Sequence, residues 1–327
     1  MRKVGTMLAL LGVLAFIGVA STPASAVTCS GGATMTIDLA DDESITLSLS
    51  GANDPRTIEV APADPSCGGF DTSTVSTILV DGTAGNQSVT IDQAGSAPFP
   101  HQNTDSIDLA LGGGSDVLVI DGQPTDDTIG LGKDGVSLDA GGSPEVTGLG
   151  SIEIVSVSGA GGNDTISARE GNALGGDLSF GVTLDGGAGN DALTGGDGND
   201  VVGGGSGTDT LRGSKGADRL MGGDGDDLVS GGGGKDRLSG GAAGDRLQGG
   251  GEGDKMDGGD GNDTMSGGGG PDAVNGGDRN DRLEGGGGDD DVKGEPGRDQ
   301  LSGGKGEDHC LGGPDPDSIT GCEHGHP

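Results

Sequence analysis

Residues 186–194 read GGAGNDALT, and the same pattern, G-G-x-G-x-D-x-U-x with U apolar, returns every nine residues as far as Thr320. The run contains fifteen contiguous units without an insertion. A second complete copy, residues 258–266, reads GGDGNDTMS. A fixed period of this kind predicts a repeat structure in which each unit stacks on its neighbours.

Each unit contributes one aspartate and one apolar residue at fixed positions. The aspartates are Asp191, Asp200, Asp209, Asp218, Asp227, Asp236, Asp245, Asp254, Asp263, Asp272, Asp281, Asp290, Asp299, Asp308 and Asp317. The U positions are Leu193, Val202, Leu211, Leu220, Val229, Leu238, Leu247, Met256, Met265, Val274, Leu283, Val292, Leu301, Cys310 and Ile319. One apolar residue in nine cannot form the stripe of an amphipathic helix, and glycine at this density destabilises a helix. The pattern therefore predicts a three-residue strand and a six-residue turn per unit, with two units per coil and parallel strands about 4.8 Å apart.

The composition excludes several classes of protein. Glycine supplies 77 of 327 residues, tryptophan and tyrosine are absent, and only four phenylalanines occur. A large aromatic core and an aromatic platform for single-stranded nucleic acid are therefore excluded. The 53 acidic and 17 basic residues give a net charge of −36, so we expect neither nucleic-acid binding nor membrane insertion. Such a chain repels itself, and we expect bound cations to offset the repulsion.

The repeated units resemble the haemolysin-type calcium-binding repeat, the RTX nonapeptide. The resemblance covers residues 186–320 and implies an all-β fold, a parallel β-roll that binds Ca²⁺ between stacked turns. Calcium takes six to eight oxygen ligands, which carboxylates and converging glycine-turn carbonyls can supply. The expected site residues are the fifteen aspartates together with Gly187, Gly189, Gly196, Gly198, Gly205, Gly207, Gly223, Gly225, Gly232, Gly234, Gly259, Gly261, Gly268 and Gly270. Eight turns on one edge and seven on the other allow up to about thirteen ions.

Six units depart from the glycine pattern. The fourth glycine is replaced by Ala243, Glu252, Arg279 and Asp315, and the second by Ser214 and Glu295. A Cβ strains a turn residue with positive φ by about 1–2 kcal/mol. We therefore expect weak or empty sites at these turns. A disordered acidic tail would need only the composition, and the strict phase of residues 186–320 argues against it.

The first residues indicate export. Residues 1–26 have the basic start, the apolar run at 7–20 and the small-residue end (ASA, 24–26) of a secretory signal peptide, which predicts a secreted, extracellular protein. In that compartment four cysteines predict disulfide bonds, and sequence separation favours Cys29 with Cys67 and Cys310 with Cys322. The second bridge would cap the open end of the roll.

The segment between the leader and the repeats, residues 27–185, carries 24 acidic and 3 basic residues. Alternating runs at 44–49, 76–80, 88–91, 106–111, 151–157 and 178–184 predict strands. Degenerate echoes of the repeat occur at 112–118, which includes Asp116, and at 159–166, which includes Asp164. These features favour an irregular β-solenoid that templates the roll, with a separate β-sandwich domain as the competing interpretation. The division is then 1–26, 27–185, 186–320 and a tail at 321–327.

The sequence favours a non-enzymatic calcium-binding protein. It contains neither the H-E-x-x-H of zinc proteases nor the G-x-S-x-G of serine hydrolases. Two alternatives stay open: a surface adhesin or ice-binding solenoid, and an unrecognised hydrolase in the N-terminal region. A cell-surface or matrix partner is compatible with the first.

Overall fold

The computed structural model describes seven short strands before residue 111, then residues 115–132, 135–137, 146–147, 152–169, 178 and 180–326. All regular structure in these residues is β, with no helix, so none of them forms a helical membrane span. The predicted leader and the predicted Cys29–Cys67 bridge lie outside the described residues.

The described residues form thirty strands in two sheets of fifteen, and the chain alternates between the sheets through the repeat segment. Sheet 1 contains, in spatial order, β1 (Thr34–Asp38), β5 (Thr77–Asp81), β7 (Ser106–Ala110), β11 (Val146–Thr147), β10 (Gly135–Ser137), β9 (Thr128–Gly132), β13 (Thr165–Ser167), β15 (Ala192–Thr194), β17 (Thr210–Lys215), β19 (Leu228–Gly233), β21 (Arg246–Gly251), β23 (Thr264–Gly269), β25 (Arg282–Gly287), β27 (Gln300–Lys305) and β29 (Ser318–Thr320).

Sheet 2 faces it with β4 (Phe70–Asp71), β3 (Thr57–Ala61), β2 (Ser44–Ser50), β6 (Ser88–Asp92), β8 (Asp116–Asp121), β12 (Ile152–Ser158), β14 (Val182–Ala188), β16 (Val201–Ser206), β18 (Arg219–Asp224), β20 (Arg237–Ala242), β22 (Lys255–Asp260), β24 (Ala273–Asp278), β26 (Asp291–Lys293), β28 (His309–Leu311) and β30 (His324–His326).

The coil length is eighteen residues, as the alternation of units predicts. Leu193 pairs with Leu211 in sheet 1, and Val202 pairs with Leu220 in sheet 2, each with parallel strands. About eight such turns span residues 183–320. The predicted parallel β-roll is confirmed.

The strands are longer than predicted. Most strands of the roll have six residues and not three, because pairing continues from the U residue into the first three residues of the next unit. In β17 both Leu211 and Gly213 point inward, and the Arg212 side chain between them points outward. The alternation of inward and outward side chains therefore continues through the first two positions of the next unit. Only a tight bend remains before the aspartate of that unit.

The core is one continuous row of buried apolar side chains, contributed by both sheets. The U residues from Leu193 to Leu301, together with Cys310, are 0–3% exposed, and Ile319 in the last unit is partly buried. The row continues toward the N-terminus through Ile166 and Ile129 of sheet 1 and through Val157 and Ile120 of sheet 2. Hydrophobic contact therefore connects the repeats to the preceding coils.

The strands before residue 186 belong to the same two sheets as the repeats. β6, β8, β12 and β14 pair in parallel and lead directly into β16. Antiparallel pairs occur at β2–β3–β4 and at β9–β10–β11, where the regular winding is interrupted. This arrangement follows the irregular solenoid and not a separate sandwich. The predicted strand at 178–184 begins only at Val182, although Leu178 is buried in the core.

The C-terminal end is closed by a disulfide bond and an additional strand. Cys310 and Cys322 are bonded, as predicted, with their Cα atoms 6.0 Å apart. The residues after the last unit, expected only as a tail, include β30, which pairs in parallel with β28. The bond therefore holds the final strand against the last full coil.

We predict that the exchange Cys322→Ser destabilises the end of the roll selectively. The two cysteines are 12 residues apart in the sequence, and a disulfide bond that closes a loop of about this length contributes about 2–4 kcal/mol to the free energy of unfolding. In the variant, Cys310 would remain in the core as a small apolar residue. Hydrogen exchange at saturating calcium should show lost protection in β28 to β30 and unchanged protection in β19 and β20. Equal loss throughout the roll would contradict a local capping role.

Candidate metal centre

Each predicted aspartate lies at the end of a turn and is buried at the edge of the sheets. The fourteen from Asp191 to Asp308 are 0–3% exposed, and Asp317 at the open end is partly buried. Carboxylates are almost never buried to this degree without a partner. The contacts of their two oxygens therefore decide what the turns can bind.

One carboxylate oxygen of each aspartate joins successive coils. The backbone N–H of Asp191 donates to Oδ1 of Asp209 at 2.8 Å, and the bond repeats every eighteen residues until Asp299 donates to Asp317 at 2.9 Å. The opposite edge has the same ladder, from Asp200 to Asp308. The turns thus stack into the two rows expected from the sequence.

The second oxygen has no partner. Oδ2 is buried without a hydrogen bond in fourteen of the fifteen predicted aspartates, all except Asp200, whose Oδ2 accepts the Gly196 N–H at 2.7 Å. A buried ionised oxygen without a partner is strongly unfavourable. A row of such atoms fits a bound cation at each turn.

Backbone carbonyl oxygens of neighbouring coils line the same turns. A methyl group at Gly222 would contact Oδ2 of Asp227 and would lie 2.6 Å from the Gly240 carbonyl oxygen of the next coil. A methyl group at Gly223 or Gly225 would meet the carbonyl oxygen of Gly205 or Gly207 in the preceding coil. The turns therefore offer one carboxylate oxygen and several carbonyl oxygens, a donor set that suits a hard cation such as Ca²⁺.

Side chains alone would not hold a metal. Among the described residues no group of three or more His, Cys, Asp or Glu side chains is placed to bind one ion. Most ligands must therefore come from the backbone. This excludes a nitrogen- or sulfur-rich site of the zinc type in that part of the chain.

Positive φ explains most, but not all, of the predicted site glycines. Eleven of the fourteen have left-handed φ, for example Gly223 at 122° and Gly225 at 123°. The expected positive φ is absent at Gly196, Gly198 and Gly261. Backbone of Phe180 beside Gly198 and of Ala243 beside Gly261 is too close for a Cβ, and at Gly196 a Cβ would lie in tight contact, 3.0 Å from the Leu178 carbonyl oxygen.

The predicted strain at the substituted turns is present. Five of the six replacements adopt left-handed φ: Ser214 at 92°, Ala243 at 79°, Glu252 at 73°, Arg279 at 86° and Glu295 at 67°. Asp315, between two prolines, does not. The fold therefore imposes the glycine conformation even where the sequence lacks glycine, at about 1–2 kcal/mol per residue.

The first glycine of each unit was not among the predicted site residues, yet the carboxylate depends on it. At Gly186, Gly204 and Gly213, as at Gly222, the space that a Cβ would fill is taken by Oδ2 of the aspartate five residues later. The signal was visible in the sequence, because all fifteen units keep this glycine while the second and fourth vary.

The ladder also extends beyond the predicted residues at both ends. Asp164 donates its N–H to Oδ1 of Asp191, and Asp127 donates to Oδ1 of Asp164, both at 2.7 Å. Oδ2 of Asp164 is buried and unpaired like those of the repeats. At the other end Glu323 accepts the Asp308 N–H at 2.9 Å. The echo at 159–166 already contained Asp164, and a glycine five residues before Asp127 with isoleucine two residues after it could have identified Asp127 as well.

A second ladder follows the exposed side of the turns in the opposite sense. The side-chain oxygen of Asn163 accepts the Asn190 N–H at 2.8 Å, and that of Asn190 accepts the Thr208 N–H at 2.8 Å. Asn262 accepts from Asn280 in the same way at 3.1 Å. Where an asparagine precedes the aspartate, as at Asn190 and Asn262, its side chain therefore ties that turn to the next turn on the same edge.

Burial changes the acidity of the aspartate rows. Loss of hydration is the largest cause, opposed by the hydrogen bond at Oδ1 and reinforced by neighbouring carboxylates. It raises the pKa of Asp218, Asp245, Asp254 and Asp281 to about 7. The pKa of Asp227 and Asp272 rises to about 6 for the same main reason. Near neutral pH, several turns therefore hold either a proton or a cation.

We predict opposite effects of Gly267→Ala and Gly269→Ala, two residues apart in one unit. The new methyl group at 267 would contact Oδ2 of Asp272 and lie 2.6 Å from the Gly285 carbonyl oxygen, whereas at 269 no atom lies within 4 Å. Gly267→Ala should cost about 1–3 kcal/mol and raise the calcium concentration needed for folding. Gly269→Ala should be neutral or stabilise by up to about 1 kcal/mol. Calcium titrations followed by circular dichroism would compare them, and equal shifts would contradict the site.

We predict that the metal-free roll is favoured by acid. Because folding raises these pKa values from the ordinary value near 4, the stabilising effect of the bound protons is complete below about pH 4 and is lost as pH rises toward about 7. Calcium must displace the same protons, so its apparent affinity should fall as pH falls below about 7. A β signal that is independent of pH in metal-free buffer would contradict this.

Comparison with protein families supports the geometry. The family model for the RTX calcium-binding nonapeptide repeat matches residues 156–172 and, in overlapping copies, residues 183–319. The first match contains Asp164, which the structure places in the aspartate row. No curated protein matches the chain. Residues 156–172 and 183–319 of this chain therefore match the RTX calcium-binding nonapeptide repeat in sequence.

Proposed function

We propose that this is a secreted, non-enzymatic protein whose roll folds when multiple Ca²⁺ ions bind between stacked turns. The observation that carries the proposal is the row of buried, unpaired Oδ2 atoms, one at nearly every turn. Calcium would supply the positive charge and the oxygen affinity that these atoms lack.

Folding and binding are coupled because the ligand set exists only when coils stack. Asp227 receives its Oδ1 hydrogen bond from Asp209 in the preceding coil, while the carbonyl of Gly240 in the next coil approaches the same turn. An unfolded chain brings none of these atoms together. Each site with free calcium ten times above its Kd would add RT ln 11, about 1.4 kcal/mol.

The sequence ceiling of about thirteen ions applies to the nonapeptide run. The strained turns at Ser214, Ala243, Glu252, Arg279 and Glu295 should bind more weakly than their neighbours. Asp200 should also contribute less, because both of its oxygens already accept backbone hydrogen bonds.

Export and a non-catalytic role rest on the sequence. The signal-peptide pattern at residues 1–26 supports secretion, and the Cys310–Cys322 bond suits an oxidising compartment. The missing protease and hydrolase motifs support a structural or binding role. The outward residues Thr194, Arg212, Ser230 and Gln248, which are neighbours in sheet 1, are too mixed to favour an ice-binding face.

The test is a calcium titration of the chain from residue 27 onward, with magnesium as the competing ion and with matched aspartate variants. Millimolar calcium should produce the β signal by circular dichroism, and magnesium should not, because it demands a smaller and more rigid site. Asp245→Asn removes a buried charge and should lower the number of bound ions. Asp260→Asn, at an exposed position, should leave it unchanged.

Isothermal titration calorimetry would count the ions in both variants. Equal compactness in chelator and in millimolar calcium at neutral pH would overturn the proposal. So would an ion count that is the same in Asp245→Asn and in the unaltered chain.

A further inference from the structure

The outward face of sheet 2 carries three cationic side chains on consecutive strands. Arg219 of β18 pairs in register with Arg237 of β20, and Arg237 pairs with Lys255 of β22. All three side chains are exposed. Neighbouring strands lie about 4.8 Å apart, so the three residues form a straight row along the roll axis. We call them the cation row.

Nothing in the described part of the chain neutralises the cation row. Lys215 pairs with Asp197 at 2.7 Å and Lys293 with Asp291 at 2.9 Å, but none of the three residues forms an ion pair with a described residue. Within the described residues, the one side-chain hydrogen bond of the row runs from Arg219 to the Met221 sulfur at 3.8 Å. In a chain with 53 acidic residues this is an unusual arrangement.

The arrangement is unfavourable unless anions lie beside it. Like charges directly opposite each other on neighbouring strands destabilise a sheet. The repeat does not force this, since the corresponding positions of sheet 1 place Thr264 between Arg246 and Arg282. Sheet 1 therefore separates its cations, whereas sheet 2 groups them.

A hollow of about 310 Å³ continues the row beyond Lys255. It forms where the small Ala273 lies between longer residues, and Arg237, Lys255 and Lys293 are among its lining residues. Two acids also line it. Asp291 bonds Lys293 and His309, whereas Asp257 accepts a hydrogen bond from the neutral Asn275 amide at 3.0 Å and keeps its charge. Three cations against two carboxylates leave the lining with a net positive charge.

We propose that the cation row and this hollow bind a linear anionic polysaccharide that lies along the roll axis. Arg219, Arg237 and Lys255 would pair with successive carboxylate or sulfate groups, and a sugar ring would occupy the hollow over Ala273. The flat, regular face presents charges at a constant spacing, which matches a polymer of repeating anionic units and not a single small anion.

The composition of the chain favours an anionic glycan over nucleic acid as the polymer. The chain has no tryptophan or tyrosine on which bases could stack, and its net charge of −36 opposes a dense polyphosphate. Calcium in the turns would neutralise much of the nearby negative charge, and salt screens the rest beyond about 8 Å. The row exists only in the folded roll, so the inference rests on the calcium-dependent folding proposed above.

The test compares two triple variants with equal charge change in the calcium-loaded chain. Arg219→Ser/Arg237→Ser/Lys255→Ser removes the cation row, and Arg212→Ser/Arg246→Ser/Arg282→Ser removes three exposed cations from sheet 1. Binding to polygalacturonate and to heparin would be measured by calorimetry over a range of salt concentrations. The first variant should lose at least about tenfold in affinity and the second less than about twofold.

For the unaltered chain, log K against log salt should have a slope near −2, from about −0.7 for each of three neutralised charges. The slope should approach zero in the first variant. Circular dichroism of the same samples shows whether calcium has folded each one, so a failure of folding is separated from a failure of binding. If the first triple variant does not fold, the single change Arg237→Gln should still lower both the affinity and the slope.

Three results would overturn the inference. One is no binding to either glycan by a chain that calcium has folded. Another is equal loss of affinity in the two triple variants, which would indicate a bulk charge effect. The third is stronger binding to single-stranded DNA than to both glycans, which would assign the face to nucleic acid.

Discussion

The whole roll depends on one atom that the protein alone leaves unsatisfied at every turn of the repeat except that of Asp200, the Oδ2 atom of the turn aspartate. Its partner oxygen is fixed by the backbone of the preceding coil, as in the bond from Asp209 to Asp227. The first glycine of the unit lets the carboxylate lie against the backbone, and carbonyl oxygens of neighbouring coils surround it. Hydrogen bonding therefore positions the charge without neutralising it, which leaves that role to a proton or a bound cation.

Periodicity made the roll itself predictable. A step of nine residues with one apolar side chain admits two units per coil, and from this the two sheets, the apolar row from Leu193 to Leu301 and the two aspartate rows all follow. The length of the strands was harder to predict from the sequence. Glycine reads as a turn residue in a sequence, yet Gly213 continues β17 because parallel pairing with the next coil extends through it.

The residues that the sequence analysis missed share one cause. Stacked coils accept a carboxylate at the ladder position even where the sequence around it departs from the nonapeptide consensus. Asp127 ends a turn that lacks the second and fourth glycines, so it does not match the repeat, although its N–H binds Asp164 as in every other coil. Glu323 follows Asp308 by fifteen residues and not eighteen, and its longer side chain reaches the ladder position. Likewise, Arg219, Arg237 and Lys255 follow one another at intervals of eighteen residues, so they can be recognised as neighbours only once the coil length is known.

The eighteen-residue register also limits how such a chain can change in length. Loss or duplication of two adjacent units would keep every surviving residue on its own sheet and edge. Loss of a single unit would exchange the two faces for everything downstream, so that Lys255 would lie on the opposite side from Arg237. Recombination among these similar units should therefore give a folded roll only when an even number of units is lost or gained. Viable variants should then differ in length by whole coils.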